Sequence, residues 1–327
     1  MDSRDVGDHL VVTNGSSAVE ALRGVGITHK ALSWDDVLHD GPLPSLDPAA
    51  LRKVRAGYLS RMGPEAASPG PGAGDLAVRA EARRAEVEAA LAARDATLAN
   101  WPGPITLWFE HDLYDQLQLV QILDRLDGRS DVFLIQQDTF IAESPGGVAA
   151  WEGLRRPVTQ HQVEVAKSTW RAVTSPTPEQ VVALGVGFAN ALPHLGPSLF
   201  RFLQMLPGPS GVNRTEAAVL EVLASGPATG GVLFRETQRR EEAPFRGDWS
   251  FWDLLAGLEG LLVGDSSAHP ARVTWSLGDL GRSVLEGEVD RVDAVGLDRW
   301  WGGTHLTPGS DWRWDENRLT RRRETPT

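Results

Sequence analysis

Two His-Asp pairs are the residues of this chain whose types and spacing best suit chemistry. His39 and Asp40 form the first pair, and His111 and Asp112 form the second, with Asp115 three residues further on. An imidazole and a carboxylate can bind one divalent cation and activate a water molecule, or the carboxylate can orient the imidazole as a general base. Structural roles also fit, because Asp112 suits a helix N-cap and the sequence HDGP suits a turn. The two pairs and Asp115 are the candidate catalytic residues, and His111, Asp112 and His39 are the candidate metal ligands.

The turn that follows the first predicted strand is the second candidate site. Turn glycine, hydroxyl groups and a helix N-terminus favour a phosphate or carboxylate. The residues that could hold such a ligand are Asn14, Gly15, Ser16 and Ser17. An ordinary strand-to-helix turn uses the same residue types, so that alternative stays open. The turn has neither the Gly-Lys of a Walker loop nor the three glycines of the dinucleotide fingerprint.

The C-terminal segment 298–315, which we call the flap, is rich in tryptophan and contains four of the twelve in the chain. Arg299 and His305 lie on either side of a Gly-Gly pair, which allows close backbone approach, so they could meet an anion. Alternatively, the flap packs on the N-terminal part of the chain as a layer of large aromatic side chains.

Alternating strands and helices predict the fold that must position these residues. Four apolar segments predict strands, at 9–13, 30–33, 105–109 and 131–136. Because such alternation is typical of parallel βαβ units, we predict a three-layer α/β domain over residues 8–142 with a mainly parallel sheet. A stretch rich in Gly, Pro and Ala at 63–74 is predicted to be a flexible insertion.

Residues 150–327 are predicted to form a mainly helical second domain. Three helices and a hairpin at about 213–290 follow the winged-helix order, in which a third helix enters the DNA major groove. Here that helix contains no Lys or Arg, and Asp248, Asp253 and Glu259 would face the phosphates. We therefore expect a packing or dimerisation unit.

The amino-acid composition disfavours or excludes several kinds of function. Acidic residues number 44 and basic residues 32, and the resulting net charge of -12 disfavours general binding to nucleic acid. Zero cysteines exclude disulfides, thiolate metal sites and thiol nucleophiles. Neither a long apolar run nor a secretory signal is present, so we expect a cytoplasmic protein without membrane contact.

Five segments together resemble one bacterial family. They are TNGSS, DVLHDGP, LWFEHDLYDQLQL, NRTEAAVLEVLASG and DRWWGGTHL. The chain is similar over nearly its whole length to proteins that carry domain of unknown function 1835. Members typically read Asn-Gly-Asp-Ser at the first turn, where this chain has Ser16 in place of the aspartate. The resemblance implies the architecture described above and no established activity.

The sequence supports one leading function and one alternative. Ligands of open α/β sheets bind outside the carboxyl ends of the strands, where the His-Asp pairs and the TNGSS turn are predicted to meet. We expect this crevice to bind a small phosphorylated or nucleotide-like ligand, with hydrolysis or transfer as the candidate reaction. The sequence allows a divalent cation there and contains no cofactor motif. The alternative is a regulatory or interaction protein whose winged-helix-like module binds nucleic acid or a protein, with the C-terminal half as the candidate oligomer surface.

Overall fold

The central element of the computed structural model is a five-stranded sheet. The structure describes residues 9–24, 26–63, 73–140, 153–184, 191–264, 269–310 and 312–322. The strands are β1 (Leu10–Thr13), β2 (Lys30–Ser33), β3 (Ile105–Phe109), β4 (Val132–Gln136) and β5 (Arg156–Pro157). Their order is β2-β1-β3-β4-β5, with the first four parallel and β5 antiparallel to β4. The predicted α/β class and mainly parallel sheet are confirmed.

Helices cover both faces of this sheet. The helices in this part of the chain are α1 (Ser16–Gly24), α2 (Pro48–Leu59), α3 (Ala73–Asn100) and α4 (Leu113–Arg125). Val11 and Trp108 pack with Leu22 of α1 in one buried cluster, whereas Val12 and Leu107 belong to the main core with α4. This alternation follows from the strand geometry, in which successive side chains point to opposite faces. Of the predicted insertion, residues 64–72 lie outside the described part.

The main core continues from the sheet into the C-terminal half. The next helices are α5 (Gln160–Val173), α6 (Glu179–Ala183) and α7 (Leu195–Leu203). Helix α5 packs along α4, and Phe202 of α7 belongs to the same buried cluster as Leu10 and Leu107. The boundary predicted between 142 and 150 falls on residues outside the described ranges. One shared core therefore joins the two predicted parts of the chain.

Residues 213–290 form a smaller unit with its own core. It contains α8 (Arg214–Ala224), β6 (Ala228–Thr229), α9 (Gly230–Gln238), α10 (Asp248–Ala256), β7 (Leu262–Gly264), β8 (Thr274–Leu277) and α11 (Asp279–Leu285). The strands form an antiparallel sheet in the order β6-β8-β7. Val219, Phe251 and Leu277 are buried together beside this sheet. Helix α12 (Arg291–Val295) follows and leads to the flap.

The flap consists of short hairpins that pack on the rest of the molecule. Its strands are β9 (Arg299–Trp301), β10 (Thr304–Leu306) and β11 (Trp312–Asp315), and β11 pairs with β12 (Arg318–Arg321). The Leu43 N–H donates to the Gly302 carbonyl, and the Gly303 N–H donates to the Val173 carbonyl, both at 2.8 Å. Trp301 is 2% exposed and stacks on Phe202 at 4.2 Å between ring centroids. The aromatic-layer interpretation of the flap therefore describes its packing.

Arg55 of α2 is the buried charge that holds the segment after β2. Its guanidinium donates to Asp36 Oδ1 at 3.0 and 2.7 Å, and to the carbonyls of Val37 and Asp40 at 2.8 Å each. Arg55 and Asp36 are each 1% exposed. A charge this deeply buried needs a partner and satisfied hydrogen bonds, and the segment supplies both.

None of the described helices is both long enough and apolar enough to span a bilayer.

Arg55→Ala should destabilise the protein strongly, because it leaves the Asp36 carboxylate buried without its partner. We expect a loss of about 3–5 kcal/mol in the free energy of unfolding, measured by urea denaturation. The matched control is Arg84→Ala, which removes an exposed ion pair with Glu81 and should cost less than about 1 kcal/mol. Equal losses in the two variants would contradict the role of Arg55.

Gly303→Ala should loosen the flap. A Cβ atom at this position would overlap the carbonyl oxygens of Thr174 and Ser175, so the hairpin would have to move away. We expect the free energy of unfolding to fall by about 1–3 kcal/mol, as for other overpacked positions. Gly309→Ala is the control, since no neighbouring atom lies within 4 Å of the place that its new methyl group would take. A Gly303→Ala variant as stable as this control would show that the flap is not held by this contact.

Candidate functional site

The strand order creates a crevice at the carboxyl ends of β1 and β3. The chain passes from β1 to β2 on one side and later returns to β3 on the other side, so β1 and β3 are the strands at which the order reverses. Thr13, the last residue of β1, pairs with Trp108 near the end of β3. Helix α1 follows β1 on one face and α4 follows β3 on the other. Ligands of open α/β sheets bind at this type of switch point.

Three buried carboxylates, Glu110, Asp112 and Asp115, lie at this switch point, and we call them the carboxylate cluster. One oxygen from each lies within 4.8 Å of the others, and the residues are 6%, 4% and 0% exposed. The Asn14 Nδ2 donates to Asp115 Oδ2 at 2.7 Å, so the turn after β1 contacts the cluster directly. The Glu110 N–H donates to Asp115 Oδ1, also at 2.7 Å.

Local geometry explains why these side chains converge. Asp112 has extended backbone angles and caps α4, with its Oδ1 accepting from the Asp115 N–H at 3.1 Å, so its predicted capping role is confirmed. Asp115 then lies in the first turn of α4, where the helix dipole favours negative charge. The Tyr114 hydroxyl donates to the Asn14 carbonyl at 3.0 Å and ties α4 to the end of β1.

Burial and mutual repulsion raise the pKa values of two of the clustered carboxylates, Asp112 and Asp115. Burial raises the pKa of Asp112 to about 7, and the nearby Glu110 raises it further against the hydrogen bonds of the cap. Burial, Asp112 and Glu110 also raise the pKa of Asp115 well above its ordinary value, while hydrogen bonds from Asn14 and Glu110 oppose the rise. Three carboxylates cannot all ionise at this spacing without a compensating cation.

The predicted anion cradle at the first turn is already filled by a carboxylate of the protein. The Ser16 N–H donates to Asp35 Oδ1 at 3.0 Å, and the Ser16 hydroxyl donates to both Asp35 oxygens at 3.2 and 3.1 Å. Gly15 lies directly beside Asp35, and Ser17 is exposed. An external anion would have to displace Asp35. Of the four residues in this turn that were predicted to bind a ligand, Asn14 is the one that hydrogen-bonds to the carboxylate cluster.

The first His-Asp pair lies apart from the carboxylate cluster. His39 is 2% exposed, and burial lowers its pKa to about 3, although Asp40 opposes the shift. Asp40 Oδ2 accepts from Arg246 Nη1 at 2.7 Å and from the Ser250 hydroxyl. The pair therefore connects the N-terminal domain with the C-terminal half, and burial makes His39 a weaker base than a solvated imidazole.

The second pair is divided, because Asp112 belongs to the carboxylate cluster and His111 does not. His111 is half-buried, with its ring centroid 5.4 Å from that of Phe140 and 6.1 Å from that of His194. Burial lowers its pKa, partly offset by Asp138. Across the described ranges, the group that gathers potential metal ligands is the carboxylate cluster, and it contains neither His111 nor His39. Of the three candidate metal ligands, Asp112 belongs to this group, and His111 and His39 do not.

The flap residues have partners of their own. Arg299 forms a two-pronged ion pair with Glu216 at 2.8 and 3.3 Å. His305 Nε2 lies 2.7 Å from Asp298 Oδ1, and its ring stacks on Trp300 with centroids 4.6 Å apart. Arg299 lines a cavity of about 450 Å³ between α2, α10 and the flap, which we call the inter-half cavity. This cavity does not include the carboxylate cluster.

Glu110 and Tyr114 are the site residues that the sequence-based prediction missed. Glu110 directly follows the third predicted strand, and its spacing of two residues from Asp112 was the available signal. Tyr114 gave no such signal, because its contact with Asn14 joins positions 100 residues apart.

Comparison of the sequence with protein families and with curated proteins identifies no relative. No protein-family model matches the chain, and no curated protein matches it significantly. The similarity to domain of unknown function 1835 stays a prediction.

Asp112→Asn should flatten the pH dependence of stability. Because the pKa of Asp112 is higher in the folded protein than in the unfolded chain, folding takes up a proton between about pH 4 and 7. Wild type should therefore lose stability as pH rises through this window. The asparagine keeps the helix cap and removes the charge, so unfolding at pH 8 should cost on the order of 1–3 kcal/mol more than in wild type.

Urea denaturation between pH 4 and 8 measures this effect. Asp47→Asn is the matched control, since Asp47 caps α2 in the same way at the surface, outside the cluster. If the stability of Asp112→Asn still fell from pH 4 to pH 7 as steeply as that of wild type, the raised pKa of Asp112 in the folded protein would be contradicted.

Proposed function

We propose that this protein binds a small phosphorylated or nucleotide-like ligand through a divalent cation at the carboxylate cluster. The observation that carries the proposal is the position of Glu110, Asp112 and Asp115 at the switch point between β1 and β3. Fold geometry and ligand chemistry then point to the same crevice.

The donor set favours a hard cation. Carboxylate oxygens are the ligands of Mg²⁺, which binds through one or two carboxylates and completes its coordination with water and substrate phosphates. A cation would favour the ionised form of these carboxylates and offset the repulsion between them. The side chain of Asn14 would stay beside the ion through its hydrogen bond to Asp115.

Such a cation also explains how an acidic crevice can accept an anionic ligand. Asp35 occupies the N-terminus of α1, so free phosphate has no cradle of backbone N–H groups there. A phosphate bound to the cation needs none, because the ion supplies the positive charge. The same ion would polarise the phosphoryl group and lower the pKa of a bound water, which makes hydrolysis or transfer the chemistry that this site supports.

The alternative function uses the unit at 213–290. Its order of helix, strand, two helices and two strands supports a winged-helix-like module, and its third helix would be α10. Ser250 of α10 bonds to Asp40 of the N-terminal domain, and α10 contains Asp248 and Asp253 but no basic residue. This helix contacts the other half of the molecule, so we assign the module a packing role rather than DNA binding.

Thermal denaturation with MgCl₂, MnCl₂ and a panel of nucleotides and sugar phosphates tests the proposed site. A ligand at about 1,000 times its dissociation constant should stabilise wild type by about 4 kcal/mol. The shift should need both the metal and the phosphate, and chelation with EDTA should abolish it. Glu110→Gln and Asp112→Asn should lose the shift, because each removes one negative ligand.

Asp124→Asn is the matched control, since Asp124 lies on α4 outside the cluster and should leave the shift intact. Two results would overturn the proposal. One is a wild type that no combination of metal and phosphate stabilises. The other is a ligand shift that survives in Glu110→Gln and Asp112→Asn.

A further inference from the structure

The inter-half cavity is a second site of ligand size. Its volume of about 450 Å³ lies within the range of about 300–1,000 Å³ that is usual for small-molecule pockets. One face of α10 forms a wall with Ser250, Asp253 and Leu254, and Tyr58 and Arg61 at the end of α2 form another. The flap contributes Trp300 and its neighbours. None of the residues of the carboxylate cluster lines it.

The charges around the cavity are balanced. Four arginines and four acidic residues line it: Arg61, Arg246, Arg291 and Arg299, and Asp40, Glu216, Asp253 and Asp298. Two ion pairs already satisfy half of them, Arg246 with Asp40 at 2.7 Å and Arg299 with Glu216 at 2.8 Å. Arg291 donates to the carbonyls of Gly257 and Gly296. Asp298 is engaged by His305.

Among the charged side chains that line the cavity, Asp253 and Arg61 form no hydrogen bond or ion pair with the described residues. Burial and Asp40 raise the pKa of Asp253, whereas Arg246 and Arg61 lower it. Arg61 and Asp253 line the same cavity, and no ion pair joins them. Both residues are exposed, which places one negative and one positive group at the mouth of the cavity.

Trp300 adds a flat apolar surface. Its ring stacks on His305 with the two planes 3° apart, and His305 is held in turn by Asp298 at 2.7 Å. Trp300 is half-buried and lines the cavity. An indole fixed in this way can stack a second ring at little entropic cost.

We propose that the inter-half cavity binds an aromatic amino acid as its zwitterion. The ammonium group lies at Asp253, the carboxylate at Arg61, and the aromatic ring on Trp300. A nucleotide fits less well, because its several negative charges would face Asp253 and Asp298 while two of the four arginines are already paired. This inference uses none of the residues of the proposed cation site, so either can fail without the other.

Isothermal titration calorimetry of the full-length protein tests the proposal with three kinds of probe. L-phenylalanine and L-tryptophan carry both charges, phenethylamine lacks the carboxylate, and 3-phenylpropionate lacks the ammonium group. The amino acids should bind, and each single-charge analogue should bind about tenfold more weakly or worse, since each loses one charge-assisted hydrogen bond. No binding of either amino acid, or equal binding of all probes, would overturn the proposal.

Two charge-removing variants locate the site. Asp253→Asn should weaken L-phenylalanine binding about tenfold and leave 3-phenylpropionate unaffected, and Arg61→Gln should weaken L-phenylalanine binding and leave phenethylamine unaffected. Asp248→Asn is the control, because Asp248 is on the same helix and does not line the cavity. Thermal melts would verify that each variant folds. Amino-acid binding that persists unchanged in both Asp253→Asn and Arg61→Gln would place the ligand elsewhere and refute the assignment.

Discussion

The buried guanidinium of Arg55 is the interaction on which the arrangement of the two halves depends. It binds Asp36 and the carbonyls of Val37 and Asp40, and so fixes the segment between β2 and α2 in one conformation. Gln118 of α4 donates to the Asp36 carbonyl at 2.9 Å and joins this segment to the helix of the carboxylate cluster. With the segment fixed, Asp40 reaches Arg246 of the C-terminal half. One buried charge therefore positions a wall of the crevice and a wall of the cavity.

The carboxylate cluster and the inter-half cavity differ in electrostatic character. The carboxylate cluster gathers three acidic groups in a buried crevice, where burial and mutual repulsion raise the pKa values of Asp112 and Asp115. The inter-half cavity carries equal numbers of acidic and basic groups, and much of its charge is neutralised by ion pairs. The first arrangement favours a cation, and the second favours a ligand with both charges. The acidic surplus of the chain as a whole predicts neither preference, because each depends on which side chains converge.

Sequence patterns predicted the strands and helices well where short-range interactions along the chain determine them. Apolar strands such as Ile105–Phe109, followed by amphipathic helices, led to a mainly parallel sheet because the alternation leaves few other topologies. Asp112 was also predictable as a cap, since its short side chain satisfies backbone N–H groups within one turn. The carboxyl end of β3 was correctly singled out as a place where titratable groups gather, and Glu110 was present in that segment.

The sequence by itself determined the four parallel strands, the helix cap at Asp112, the acidic balance and the polar groups at the end of β3, because these follow from short-range periodicity and composition. Only the tertiary structure decided which groups meet. In the fold, the His39 ring packs against Phe245, Asp40 pairs with Arg246, and Asp35 lies where an external anion had been expected. The physical reason is that a side chain's partner and its desolvation depend on contacts between distant segments. Similar His-Asp pairs therefore acquired different surroundings in one fold.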